Sequence, residues 1–359
     1  MERLALNVRL RLKRADLLLA CFLALALSYA LGHGLDWRLR GGAAQAPEGL
    51  LEAAPALAPA GPELASAAPV PAWSPDPQEE AWEEMTRELA RLSAGYRGRV
   101  AVFLKDLRTN RVWAQHPDAL FPSASLIKVP VMAGVFARIR DGDLALSGRL
   151  TLRRRHRVGG SGSLKWRPDG TKLTVRELLQ LMISESDNTA TAVLLEAAGI
   201  GHLQRQFPRL GLVSTGICPE GMSIRGRPVA QENYTTAREM TMLMEKIYRG
   251  ELVDASSSRL MLAILKHRKA ISSRLAKGLP AGWGIAHKTG LLRRACHDSA
   301  IIFTPRGDYA LTVLTGENRS YKTAKAFISR LGRVTFRHYQ GEARYLAKLS
   351  RRTHQVVIR

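Results

Sequence analysis

The chain has 359 residues, 46% of them hydrophobic, which allows one large domain with appendages and a sizeable core. Lys and Arg number 54 against 31 Asp and Glu, and the resulting net charge of +23 favours contact with an acidic cell envelope or anionic lipid. The three cysteines, Cys21, Cys218 and Cys296, form no CxxC pair and have no metal-ligand spacing, so no metal site and no cofactor is expected.

The first forty residues have the pattern of an export signal or membrane anchor. An apolar run from Leu17 to Leu31 follows a basic flank of Arg3, Arg9, Arg11, Lys13 and Arg14. The stretch from Ala15 to Leu35 is long enough to cross a membrane, which favours an uncleaved anchor with its amino terminus inside. Cleavage after Ala30 would instead give a secreted protein. In both cases export removes nucleic acid as a partner.

The composition changes over residues 41–77. Ala and Pro dominate this stretch, and no Lys or Arg occurs between Arg40 and Arg87. Such a composition cannot bury enough apolar surface to fold, so we expect a disordered tether. A globular domain over residues 78–340 and a basic tail over residues 341–359 complete the predicted organisation. The basic run from Arg153 to Arg157 indicates a solvated loop or strand end.

Periodicity and turn signals predict the elements of the domain in chain order. It opens with an amphipathic helix whose apolar residues are Trp82, Met85, Leu89 and Leu92. A hairpin of strands 100–107 and 111–115 follows. Further helices are predicted from about 125, over 175–184 after a Thr174–Glu177 capping box, and over 236–248, 256–265 and 321–331. Further strands are predicted over 284–289, 299–303 and 309–315. Strands at both ends with helices between them predict an α+β fold with an antiparallel sheet.

Three short motifs carry the chemistry of the domain: Ser125-Leu126-Ile127-Lys128, Ser186-Asp187-Asn188 and Lys288-Thr289-Gly290. Ser125 and Lys128 lie three residues apart, which places both side chains on one helix face. A lysine in a partly desolvated site can lose its proton and activate a serine hydroxyl as a nucleophile. Each motif alone is common, but their order and spacing form the signature of penicillin-recognising serine hydrolases.

Residues from about 95 to 335 resemble class A β-lactamases and the related penicillin-binding serine hydrolases. The resemblance extends beyond the three motifs to Phe121–Ala124, Gly159–Leu164, Ser186–Ala190 and Gly278–Trp283. It implies a five-stranded antiparallel sheet, built from both chain ends and packed against an all-helical subdomain. We therefore expect a β-lactamase/D,D-peptidase-like fold.

The resemblance also implies roles for individual residues. Ser125 would be the acylated nucleophile, Lys128 its activating partner and Ser186 the proton relay to the departing amine. Asn188 would hold the amide side chain of the substrate, and the backbone N–H groups of Ser125 and Leu291 would form the oxyanion hole. The carboxylate of the substrate would bind Lys288 and Thr289, with Gly290 allowing close approach of the substrate backbone.

The loop that precedes Tyr234 departs from the family pattern. In class A β-lactamases a glutamate there positions the deacylating water, and an Arg–Asp pair braces the loop. Glu220 falls within one residue of the expected glutamate, although Ile224 stands where the family has Asn, and Glu232 is a second candidate. The Arg–Asp pair is absent, with Cys218 and Tyr234 near those places. A Cys218–Cys296 disulfide would brace the loop instead.

The expected function is therefore β-lactam hydrolysis by a monomeric, membrane-tethered serine hydrolase that forms an acyl-enzyme on Ser125. One alternative is a D,D-peptidase that acts on D-Ala-D-Ala ends of peptidoglycan stem peptides. Another is a penicillin sensor that acylates without turnover. The sequence leaves these alternatives open, because all three use the same serine, lysine and carboxylate site.

Overall fold

The structure, a computed structural model, describes residues 77–218, 232–266, 273–280, 283–305 and 307–356, with side chains described as far as residue 340. The expected anchor, nearly all of the Ala/Pro-rich tether, Cys21 and Glu220 lie outside these ranges. Among the described residues, no helix is long and apolar enough to cross a membrane, and no cluster of His, Cys, Asp and Glu could hold a metal ion.

A five-stranded antiparallel sheet forms the framework of the domain. Its strands are β1 (Arg99–Asp106), β2 (Val112–Gln115), β7 (Gly284–Leu292), β8 (Ala295–Phe303) and β9 (Tyr309–Gly316). Their spatial order is β2-β1-β9-β8-β7, so two strands come from the start of the domain and three from its end, as predicted. Strands β7 and β8 exceed their predicted lengths, because nine residue pairs from Gly284↔Phe303 to Leu292↔Ala295 join them in one hairpin.

Two helices, α1 (Pro77–Ala94) and α9 (Tyr321–Val356), cover one face of the sheet. The predicted α9 ended at residue 331, but the helix continues to residue 356. One reason is that Val334 and Tyr339 are still buried beyond that point. The Tyr339 ring stacks on that of Tyr309 with centroids 4.4 Å apart, and its hydroxyl donates to Asp106. These contacts extend the apolar face of α9 past its predicted end.

The other face of the sheet carries the helical part of the domain around α2 (Lys128–Arg140), whose residues 128–137 are all buried. The surrounding helices are α3 (Val175–Ser184), α4 (Asn188–Ala198), α5 (Ile200–Arg209), α6 (Ala237–Arg249) and α7 (Ala255–Lys266). The predicted boundaries of α3 are confirmed, because Thr174 and Glu177 form the reciprocal capping box. Helices α4 and α5 were not predicted. In α4, seven of eleven residues are buried, which leaves little polar periodicity to recognise.

Short elements connect these layers at the place where the three motifs meet. Strand β3 (Phe121–Pro122) pairs with β6 (Tyr234–Thr235), and β4 (Arg149–Thr151) pairs with β5 (Lys172–Thr174). A short helix α8 (Leu275–Gly278) packs closely on α9. The fold is thus the expected α+β arrangement, with the motifs on the edge between sheet and helices.

Candidate active site

Ser125 lies in a 3₁₀ turn, Ala124–Ile127, that leads directly into α2. The preceding residue, Ala124, has a φ of 47°, a conformation that residues with a β-carbon seldom adopt. The turn is closed by a hydrogen bond from Leu126 N to Ser123 O of 3.0 Å. Strained backbone next to a candidate nucleophile is a frequent property of functional sites. Here it presents the Ser125 hydroxyl to a cleft.

Lys128 is almost completely buried, with 1% of its surface exposed. Its ammonium group donates to Ser186 O at 2.6 Å, Asn188 Oδ1 at 2.7 Å and Ser186 Oγ at 3.2 Å. Burial lowers the pKa of Lys128 from 10.5 to about 7, and the negative charge of Asp187 limits the decrease. A substantial fraction of this lysine is therefore neutral near pH 7 and able to accept a proton.

Ser186 stands between two buried lysines. Its Oγ lies 3.2 Å from Lys128 Nζ and 3.0 Å from Lys288 Nζ. The residue has a φ of 55°, so the turn that carries it is also strained. A hydroxyl with a basic amine on one side can pass on a proton and recover it, which is the geometry that a relay requires.

The loop with Ser186 is fixed by Asp187, whose side chain is fully buried. One carboxylate oxygen accepts from Ala190 N at 2.8 Å and caps α4, and the other accepts from Leu164 N at 2.7 Å. Gly162 packs on this carboxylate with a φ of 101°, and a β-carbon there would lie 2.1 Å from Asp187 Cγ. The segment 159–164 therefore holds the loop with Ser186 in place.

Asn188 has both ends of its amide oriented by the protein. Its Oδ1 accepts from Lys128, and its Nδ2 donates to Gly159 O at 2.9 Å. A second hydrogen on Nδ2 and a second lone pair on Oδ1 are still unused by these contacts. The side chain therefore has hydrogen-bonding capacity left for a substrate amide, and its role as the holder of that amide stays a prediction.

Strand β7 brings Lys288, Thr289, Gly290 and Leu291 past the turn that carries Ser125. Lys288 is fully buried, whereas Thr289 and the 44%-exposed Leu291 line the cleft. A β-carbon at Gly290 would lie 3.2 Å from Ala124 Cβ and 3.3 Å from Ser123 O. The absence of a β-carbon at Gly290 thus allows β7 to pack closely against the turn that carries Ser125, and close approach of a substrate backbone stays a prediction.

Arg274 is a site residue that the sequence did not reveal. It lines the same cleft, is 6% exposed and has a φ of 57°. Its guanidinium donates to Cys296 Sγ at 3.2 Å and to Gly290 O at 3.4 Å, so it lies alongside the KTG strand. No local pattern marks such a residue, since it precedes only the one-turn helix α8. It adds a second fixed cation to the predicted carboxylate site.

Buried polar residues on β8, the strand paired with β7, hold the segments of the site in position. His297 Nε2 lies 2.8 Å from Pro122 O, and Thr315 N donates to Nδ1 at 3.2 Å, so the proton is on Nε2. Burial lowers the pKa of His297 to about 4, which keeps this ring neutral at physiological pH. The next residue, Asp298, contacts His287 Nδ1 at 2.9 Å and accepts from Leu275 N at 3.1 Å. It thereby ties the segments that carry Lys288 and Arg274 together.

The two described ends of the loop before β6 meet beside the nucleophile. Asn233 Oδ1 accepts from Cys218 N at 2.7 Å, and Asn233 O accepts from Ser123 N at 2.7 Å. Glu232 accepts from Asn233 N at 3.0 Å, and desolvation raises the pKa of its carboxyl. Of the two candidate bases, Glu232 is thus placed close to the nucleophile turn, and Glu220 lies outside the described residues.

The predicted disulfide is not formed, and both cysteines are free thiols. Cys218 Sγ contacts Asn233 Oδ1 at 3.4 Å, whereas Cys296 Sγ accepts from the buried Arg274. The brace comes instead from Glu239 at the start of α6. Its carboxylate accepts from the backbone N–H groups of residues 213 and 214 and from the Thr215 hydroxyl, at 2.6 to 2.8 Å. This polar anchor provides the support that the disulfide was expected to give.

The motifs converge on one open cleft of about 550 Å³. Its lining includes Ser125, Ser186, Arg274, Thr289 and Leu291. The cleft therefore combines a hydroxyl nucleophile, a lysine with a lowered pKa, a hydroxyl relay and cationic groups for an anion. Such an arrangement suits acyl transfer from an amide that carries a carboxylate.

Comparisons with known proteins point to one enzyme family. A β-lactamase of Bacillus licheniformis is 27% identical over 248 residues, which are 67% of this chain and 78% of that protein. The structure of a β-lactamase from Sphaerobacter thermophilus DSM 20745 is 26% identical, with a TM-score of 0.66 over 72% of this chain and 98% of that one. An ancestral class A β-lactamase is 28% identical, with a TM-score of 0.63 over 70% and 98%. Residues 84–339 match the model of the β-lactamase enzyme family, and the chain belongs to that family.

Proposed function

We propose that this protein hydrolyses β-lactams by acyl transfer to Ser125. The observation that carries the proposal is the position of Ser186 Oγ, 3.2 Å from Lys128 and 3.0 Å from Lys288, in the cleft that Ser125 lines. One lysine has a pKa near 7 and the other is part of the carboxylate site. Base, relay and anion receptor therefore meet at one oxygen atom.

Acylation begins when the neutral amine of Lys128 accepts the proton of the Ser125 hydroxyl. The oxygen attacks the lactam carbonyl, and the developing oxyanion is held by the backbone N–H groups of Ser125 and Leu291. When the C–N bond breaks, the Ser186 hydroxyl donates its proton to the departing nitrogen. The Lys128 ammonium then returns a proton to Ser186, so the relay and the base are both restored.

The carboxylate of the substrate is held by Thr289 and by two cations, Lys288 and Arg274. Both cations are buried, and each donates one hydrogen bond to a backbone oxygen of β7: Lys288 to Thr289 O and Arg274 to Gly290 O. Charged hydrogen bonds in a desolvated site are stronger than in water, so the carboxylate positions the lactam ring for attack.

Release of the acyl group requires a base that takes a proton from water, and we propose a carboxylate of the loop before β6. Glu220 is the residue that the family pattern favours, whereas Glu232 has a raised pKa and hydrogen-bonds Asn233 beside the nucleophile turn. The matched variants Glu220→Gln and Glu232→Gln separate the two candidates. The variant that lacks the base should acylate at the normal rate and accumulate acyl-enzyme, detected by mass spectrometry.

The function is tested with the purified full-length chain and a chromogenic cephalosporin in small molar excess. Sustained turnover that Ser125→Ala abolishes would establish a β-lactamase. A burst of one equivalent followed by no further reaction would contradict hydrolysis as the function and favour the peptidase or sensor alternatives. Absence of any burst would show that the proposed acylation machinery is wrong.

We also propose that the catalytic domain is exported and held at a membrane by residues 1–40. This rests on the five basic residues that precede the apolar run and on the Ala/Pro-rich tether that follows it. Fractionation of cells that express the full chain tests the proposal. Recovery of the protein in the soluble cytosolic fraction would contradict it.

A further inference from the structure

Residues 149–176, called the basic lobe below, carry a charge imbalance far above the average of the chain. They contain one acidic residue, Asp169, and nine basic residues: Arg149, Arg153, Arg154, Arg155, Arg157, Lys165, Arg167, Lys172 and Arg176. Seven of the nine side chains are exposed. Within the described residues, no ion pair neutralises the five at positions 153, 154, 167, 172 and 176. The lobe therefore presents a field that attracts anions.

The centre of the lobe exposes an aromatic ring. Trp166 has 81% of its surface in contact with solvent. Lys165 Nζ lies 5.3 Å from the centre of the indole, and the exposed Arg167 is the next residue in the chain. An apolar surface of this size, exposed between cations, is characteristic of a contact site.

The turn that carries Trp166 is braced from within the lobe. The guanidinium of Arg157 donates to the backbone oxygens of both Lys165 and Arg167, the latter at 2.8 Å, and Lys165 donates to Gly160 O. Earlier in the lobe, Arg155 Nη2 lies 2.7 Å from Glu196 Oε1, and His156 Nε2 lies 2.9 Å from Glu196 Oε2, which joins the lobe to α4. The indole is thus presented on a rigid turn, so little conformational entropy is lost when a ligand binds.

The basic lobe forms part of the rim of the catalytic cleft. Ser161 and Ser163 line the cleft, and Leu164 N is bound to Asp187 in the catalytic loop. Arg167 lines an adjoining groove of about 500 Å³, which shares Ser184 with the cleft. A long ligand can therefore contact the exposed indole and the groove together.

We propose that the basic lobe binds an anionic glycan. A sugar ring stacks on Trp166, while carboxylate or sulfate groups pair with Arg153, Arg154, Arg167 and Lys172. The adjoining groove has a mixed lining, in which Glu177, Gln180 and Ser184 offer hydrogen bonds to sugar hydroxyls and Leu173, Leu181 and Ile264 offer apolar contacts to sugar rings. The Glu177 carboxylate can only accept hydrogen bonds. Sugar hydroxyls can donate to it, whereas the backbone of DNA has no hydrogen-bond donors. The proposal does not depend on the reaction at Ser125.

A lipid surface fits the same features less well. Ser161 and Ser163, three to five residues from Trp166 in the chain, line the cleft, so a bilayer bound to this lobe would lie next to the cleft. A flexible polysaccharide follows the groove and leaves the cleft accessible.

The test measures binding of a fluorescent hyaluronan decasaccharide, which carries a carboxylate on every second ring, to the full-length chain. We expect saturable binding that weakens about tenfold between 50 and 200 mM salt, as ionic contacts to a polyanion require. Trp166→Ala should weaken binding about tenfold, and the double variant Arg167→Gln, Lys172→Gln by a similar factor. The matched control Arg330→Gln removes an exposed cation on α9, outside the lobe, and should leave binding unchanged.

Each variant is also assayed for thermal stability and for turnover of the chromogenic cephalosporin. Trp166 is exposed, so its substitution should leave both properties unchanged, and failure of the β-lactamase proposal would not affect the result. Binding that is absent, or that Trp166→Ala leaves intact, would overturn the proposal. So would equal or tighter binding of a neutral N-acetylglucosamine hexamer, of a ten-nucleotide oligothymidylate or of phosphatidylglycerol vesicles.

Discussion

The pH dependence of acylation tests the central claim about Lys128 directly. Burial lowers the pKa of this lysine to about 7, so the neutral fraction should be about 10% at pH 6, half at pH 7 and about 90% at pH 8. A lysine with the ordinary pKa of 10.5 would be only about 0.03% neutral at pH 7, roughly three orders of magnitude less. The two cases therefore differ in rate as well as in midpoint.

The assay is single-turnover acylation, followed by stopped flow with a chromogenic cephalosporin between pH 5 and 9. The rate should rise with pH and level off with a midpoint near pH 7. Asp187→Asn provides the internal check. The negative charge of Asp187 raises the pKa of Lys128, so its removal should move the midpoint to lower pH. A profile that is flat from pH 5 to 9, or that still rises steeply at pH 9, would refute neutral Lys128 as the base.

Three further predictions follow from the support of the site. Gly162→Ala should destabilise the fold by about 3 kcal/mol and reduce acylation, because φ is 101° and the new β-carbon would overlap Asp187. Calorimetry measures the loss of stability, and Gly159→Ala is the control because its β-carbon would meet open space. Arg274→Ala should lower kcat/KM by about 10- to 100-fold for a substrate with a free carboxylate, through loss of a charged hydrogen bond; an equal loss for the methyl ester would contradict the role. Glu239→Gln should speed hydrogen exchange of the amides of residues 213 and 214 about tenfold, by weakening two charge-assisted bonds; no change relative to exposed Glu251→Gln would contradict the brace.

Local signals predicted much of the fold. The Thr174–Glu177 capping box marked the start of α3, and the spacing of Trp82, Met85 and Leu89 identified α1. Both features depend on contacts within one helix or on one amphipathic face, which the sequence displays directly. Helix α4 was missed because it is buried on nearly all sides, so its residues lack the alternation that periodicity detects.

Contacts between distant segments account for what the sequence could not provide. Arg274 is a site residue only because α8 precedes a strand that passes the nucleophile, and Glu239 is a brace only because α6 begins beside residues 213–215. The proposed disulfide shows the same limit. Cys218 and Cys296 have the right chemistry, but each is already hydrogen-bonded to a different partner, Asn233 or Arg274. Spacing along the chain does not reveal these competing contacts.

Part of the backbone strain lies where the chemistry is expected. Among the described non-glycine residues, eight have a positive φ, and three of these, Ala124, Ser186 and Arg274, belong to the active site. Such conformations cost about 1–3 kcal/mol each, and they persist only because surrounding contacts impose them. The buried charge of Lys128 adds to this cost. Its pKa is about 7 in the folded protein and 10.5 in the unfolded chain, so the unfolded chain binds the proton more tightly. The resulting loss of stability is complete below pH 7 and disappears as the pH rises through 10.5. The network of Asp187, Gly162 and Asn188 is therefore required to hold nucleophile, base and relay in a geometry that the local sequence disfavours.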